Sequence, residues 1–138
     1  MSSEQEAFDD LCCYTIGRGD AAFVHQHAVD AFAAQRADEQ TKPIKLTFAL
    51  VGLYLHIEKQ FSGKKAQRVH MSLAKHKRPW PVFPLPRDRG AMTVAEVLAA
   101  RAGHERDKAI DAWCSSVWHA FRESHQMVAD LLRERGIV

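Results

Sequence analysis

Ile44-Lys-Leu-Thr-Phe-Ala-Leu-Val-Gly-Leu-Tyr-Leu-His-Ile-Glu-Lys-Gln-Phe61 reads as a helix that is apolar nearly all round, the pattern of an element buried on most sides. Thr41 and Pro43 mark its start, because proline's fixed φ and missing N–H cost nothing in a first helical turn. The apolar run Leu46 to Ile57 is about 12 residues long, too short for a bilayer core of about 30 Å, so the helix belongs inside a protein. One polar strip remains on it: Lys45, Ala49, Gly52, His56 and Lys59. Glu58 falls on the opposite side with Thr47, Val51 and Tyr54, which points a carboxylate toward the core.

A buried helix needs others around it, and the flanking sequence supplies them. Glu4 to Ile16 is helix-forming and stops at Gly17-Arg18-Gly19. Asp20 then suits the N-cap of a helix from Ala21 to Ala37, whose face of Ala21, Val24, Ala28, Ala31, Phe32 and Gln35 is apolar but for the glutamine. After Ser62-Gly63 a shorter helix through Lys75 turns Ala66, Val69, His70 and Leu73 inward and Lys64, Lys65, Arg68 and Lys75 outward. Between Lys77 and Met92, four prolines around Trp80 and Phe83 forbid a helix and favour an extended strap held by its aromatic anchors. Thr93-Val-Ala-Glu96 is a capping box, and a long final helix is expected from about Glu105 to Arg135, burying Ile110, Trp113, Val117, Phe121, Val128 and Leu131. No strand pattern or internal repeat appears. The expected fold is all-α: a single-domain bundle of about six helices over residues 1–138, with residues 77–92 as an ordered proline-rich loop.

With 138 residues, 46% hydrophobic and 26% charged, the chain suits one globular core. Its acidic start has no leader-like apolar stretch, and three cysteines with Cys12 and Cys13 adjacent do not form a secreted disulfide framework; a cytoplasmic protein without membrane attachment is expected. A net charge of +2 demands no polyanionic partner. From Lys59 to Arg87, however, there are eight lysines and arginines and no acidic residue, a pattern compatible with nucleic-acid contact, although a solvated helix face is the simpler reading. No phosphate-binding glycine loop and no Gly-x-Ser-x-Gly nucleophile turn is present.

The eight histidines carry the remaining chemistry. Helical phase places His25, His70 and His125 on or beside the apolar sides of three different helices, while His56, His104 and His119 point outward. His27 is ambiguous and pairs locally with Asp30, three residues on. The candidate metal ligands are therefore His25, His70, His125 and Glu58, backed by Asp30, Gln35, Tyr54 and Trp118 and covered by Trp80 and Phe83 of the strap. Three imidazoles and a carboxylate suit a divalent metal, zinc first, or a small polar ligand. The alternative is an interaction module, such as a homodimer, in which the histidines are structural hydrogen-bonding residues.

Several segments together carry a resemblance. Cys13-Tyr-Thr, Phe23-Val-His-Gln-His27, Val29-Asp30, Gln35, Lys42-Pro43, Phe48 to Leu55, Glu58, His70-Met71, Trp80-Pro81, Thr93-Val94 and Trp113-Cys-Ser-Ser-Val-Trp118 resemble a bacterial domain-of-unknown-function family over nearly the whole chain. The resemblance implies a helical cytoplasmic domain and brings no assigned activity, substrate or cofactor. Longer members of that family carry a Cys-rich N-terminal segment, so a zinc role tied to that segment does not transfer to this chain.

Overall fold

The computed structural model describes residues 3–76 and 79–137, and every regular element among them is helical. The helices are α1 (Glu4–Gly17), α2 (His25–Gln35), α3 (Pro43–Lys59), α4 (Gly63–Leu73), α5 (Val94–Ala99), α6 (His104–Ala120) and α7 (His125–Glu134), with a 3-10 turn at Arg122–Ser124 before the last. The all-α expectation is met, with seven helices rather than about six. Helix α3 is the axis: it packs against α2, α4, α6 and α7, and Leu50, Val51, Leu53 and Leu55 are fully buried. Its all-round apolarity follows from that position.

Helix α2 begins four residues later than expected. Asp20 does act as a cap, its Oδ2 accepting the Val24 N–H at 3.1 Å, but it closes a turn, because Phe23 takes a left-handed φ of 58° that no helix admits. That turn lies against the start of α4: the Lys64 N–H donates to the Ala22 carbonyl at 2.9 Å, and a Cβ on Gly63 would sit 1.8 Å from the Phe23 oxygen. Only glycine fits there. Ser62, directly before it, caps α4 through its Oγ.

The expected single helix from 105 to 135 is two helices. Phe121 leaves helical geometry (φ −94°, ψ 25°), and the cause is a side chain rather than a breaker residue: His125 Nε2 donates to the Trp118 carbonyl at 2.8 Å. A carbonyl engaged by a side chain and by the nearby Phe121 N–H is no longer free to continue the α-helical ladder.

The strap is ordered along its described length, residues 77 and 78 lying outside the described residues. Phe83 is buried in the core, and Arg89 reaches the end of α2, where its Nη1 donates to the Ala37 carbonyl at 2.6 Å and lies 3.3 and 3.4 Å from those of Gln35 and Ala34. The Gln35 and Ala37 carbonyls lie at and beyond the last turn of the helix, and the Ala34 carbonyl also takes the Ala37 N–H at 3.3 Å, so the guanidinium serves as a C-cap delivered from elsewhere in the chain. Gln35 completes the fastening: its Nε2 donates to the strap carbonyl of Met92 at 2.7 Å, and its Oε1 accepts the buried Trp113 indole N–H at 2.9 Å. The capping box forms as expected, with the Thr93 N–H donating to Glu96.

Candidate functional site

The residues singled out from sequence fall into three places. His25, half-buried at the start of α2, contacts Thr15 Oγ1 on α1 at 2.9 Å. The hydroxyl's own proton is directed to the carbonyls of Leu11 and Cys12, so it accepts from the imidazole Nδ1. Burial lowers the pKa of His25.

A second group lies between α2, α3 and α4. His70 is buried, donates through Nε2 to the Phe48 carbonyl at 2.8 Å and stacks on the Phe48 ring, whose edge meets Trp80 of the strap. Gln26 on α2 bridges inward, its amide donating to Asp30 Oδ1 at 3.1 Å and lying 3.4 Å from His70 Nδ1. Asp30 is 3% exposed and its Oδ2 has no hydrogen-bond partner among the described residues. Burial pushes its pKa well above the usual carboxylate range, so the acid is held toward its neutral form. Room for it comes from Gly52 on α3, where a Cβ would meet Asp30 Oδ2 at 1.8 Å.

The third group is built on Trp118. Its indole N–H donates to Glu58 Oε2 at 2.8 Å, its ring stacks on His125 at a centroid distance of 3.7 Å, and Tyr54 meets it edge-on. Trp118 is 2% exposed, whereas Glu58 is exposed and not in the core as its phase suggested. It lies in the last turn of α3, from which its flexible side chain brings the carboxylate to the indole.

His25, His70 and His125 therefore do not meet. Each is satisfied by a different hydroxyl or carbonyl, and among the described residues no three His, Cys, Asp or Glu side chains are grouped so as to hold a metal ion. The cover expected over all three is divided too: Phe83 is core, and Trp80 meets the Phe48 ring that stacks on His70.

What helical phase missed is a seam between α2, α3 and α6. His27, not His25, is the buried member of the His25-Gln26-His27 pair, and it stacks on His56 with ring centroids 3.6 Å apart. His56, expected to face solvent, has a side chain only 16% exposed and contacts Asp111 Oδ1 at 3.0 Å. The strip of Ala49, Gly52 and His56 thus faces another helix; two small residues in it were the available signal of close helix approach. The thiol of buried Cys114 completes the seam by donating to the His27 carbonyl at 3.5 Å.

His27 Nδ1 is buried without a hydrogen-bond partner among the described residues, and burial, reinforced by the nearby His56, lowers its pKa to about 3. The folded protein keeps this ring neutral while an unfolded chain protonates it near pH 6.5, so between those values the unfolded state binds more protons and stability rises with pH. Acidifying from pH 6.5 to 5 is expected to remove about 2 kcal/mol through this group, at about 1.4 kcal/mol per pH unit. Asp30 acts in the opposite sense, its contribution falling as pH climbs through its raised pKa. Urea unfolding across this range checks the first effect: His27→Gln should flatten the acid limb, and an unchanged slope would assign it elsewhere.

Similarity to known proteins adds a family and stops there. The description "Family of unknown function (DUF5946)" matches residues 5–122. The chain belongs to that family. The match takes in the α2–α3–α6 seam, His70, Glu58 and Trp118, and leaves α7 with His125 beyond its end. No curated protein matches the chain, and no solved structure does. For this DUF5946 member, no helix among the described residues is long and apolar enough to cross a membrane.

Proposed function

We propose that the chain is a binding module that takes a small zwitterion with an apolar body in the groove between the strap and α7, the histidines serving to hold the bundle together. The observation that carries this reading is the groove itself, about 570 Å³, within the range of small-molecule sites. Trp80, Met127 and Leu131 supply apolar lining, and Asp130 and Glu134, one helical turn apart on α7, supply negative charge. Arg135 supplies the opposite charge from a guanidinium 4.7 Å above the Trp80 ring, and its buried Nη1 has no hydrogen-bond partner among the described residues. A ligand carboxylate would satisfy Arg135, an ammonium would face Glu134 and Asp130, and an apolar body would cover Trp80.

Trp80 also provides the readout, because Trp113 and Trp118 are buried and Trp80 is only half so. Phenylalanine is expected to change the intrinsic fluorescence saturably, and more tightly than phenylethylamine or 3-phenylpropionate, which each lack one charge. Arg135→Gln should weaken phenylalanine binding by about tenfold or more, the loss of one charge-assisted hydrogen bond, and Trp80→Phe should remove the signal. No saturable response to any of the three compounds would overturn the proposal.

A further inference from the structure

The charge of this chain is segregated. The segment from Lys59 to Arg87 holds eight basic residues and no acidic one, while the rest of the chain sets eleven basic residues against all seventeen acidic ones. Helix α4 turns this imbalance into a surface. Its apolar side, Ala66, His70 and Leu73, is buried in the bundle, and Lys64, Lys65, Arg68 and Lys75 are exposed. At about 100° per residue, Lys64, Lys65 and Arg68 lie within a little over a quarter of the helix circumference, and Lys75 follows in the turn after the helix ends at Leu73. No ion pair among the described residues involves any of them; the arginines that do pair, Arg18 with Asp107, Arg36 with Glu4 and Arg133 with Asp130, lie on other elements.

We infer that this face of α4 docks on the phosphate backbone of nucleic acid, without reading its sequence. A group of cations without ion pairs complements a polyanion, and duplex presents one phosphate charge for about every 1.7 Å of its axis. An anionic lipid surface fits less well. Membrane-surface helices bury an apolar face among the acyl chains, but here that face is already spent on the core, and Met71 is the one large apolar side chain left exposed on the helix. The absence of base-reading geometry makes the contact electrostatic, and four phosphate contacts predict a slope of log K against log salt of about −3.6.

The test is fluorescence anisotropy of the full chain with a labelled 20-base-pair duplex of arbitrary sequence, between about 20 and 200 mM salt. Binding should weaken along that slope. Lys64→Glu with Arg68→Glu should reduce affinity by tenfold or more at low salt, whereas Lys45→Glu, on the exposed end of α3, should have little effect. Lys64→Gln with Arg68→Gln, which adds no repulsion, should lower the slope by about 2, and circular dichroism confirms that each variant is folded. Absence of binding at the lowest salt, equal losses from the Lys45 and α4 variants, or binding to phosphatidylserine vesicles but not to duplex would each overturn the inference.

Discussion

Trp118→Ala is expected to lower the unfolding free energy by about 4 kcal/mol, within the range for deleting a buried aromatic side chain. The indole is 2% exposed, and three separate contacts end on it: the Glu58 carboxylate at its N–H, the His125 ring on its face and the Tyr54 edge. Two of those partners come from α3 and one from α7, so the cavity would loosen both from the end of α6. Trp118→Phe should cost much less, since it keeps a ring for His125 and frees only Glu58, which is exposed and can be solvated. Chemical denaturation checks the pair. A loss below about 1.5 kcal/mol for the alanine variant would mean that the end of α6 relaxes to fill the space.

Gly52→Ala is expected to cost about 3 kcal/mol, at the upper end for overpacking a core by one methyl group. Alanine ordinarily gains up to about 1 kcal/mol over glycine inside a helix, so the sign of this prediction rests on geometry. The new Cβ would lie 1.8 Å from Asp30 Oδ2 and 2.4 Å from its Cγ, and Asp30, boxed in at 3% exposure, has nowhere to swing. Removing the obstruction should therefore rescue the variant. In an Asp30→Ala background the same glycine substitution should be neutral or stabilising, giving a coupling energy of about 2 kcal/mol or more in a double-mutant cycle. Additive losses would show that α2 and α3 shift apart instead.

The parts of the fold legible in the sequence were those set by local pattern. The apolar run of α3 announced a central helix, the alternating faces of α4 announced an amphipathic one, and Thr93 with Glu96 announced a start. The parts that were not legible depend on contacts made across the fold. Nothing local tells that a bulky Phe23 adopts a left-handed φ, or that His125 draws off the Trp118 carbonyl and breaks a helix free of glycine and proline. For the histidines, phase failed for a related reason. Ala28, Ala31 and Ala34 let α3 and α6 approach α2 so closely that flanking residues are covered as well, and this buried His27 and most of His56. Asp30 and His70, both expected near the core, are there together; the carboxylate of Glu58 reaches the indole from outside.

The fastening of the strap sets the order in which acid takes the molecule apart. Arg89 holds the strap to the end of α2 through a guanidinium that stays charged at any pH a protein survives, and the carbonyls it serves do not titrate. The His27 imidazole, stacked on His56 between α2 and α3, is held neutral by burial, and proton uptake at this residue in the unfolded chain pulls against the fold from about pH 6.5 downward. The acid-labile joint and the acid-proof one thus sit toward opposite ends of the same eleven-residue helix. On gradual acidification, amide exchange should quicken first around His27, while the Gln35 end of α2 and the strap stay protected together.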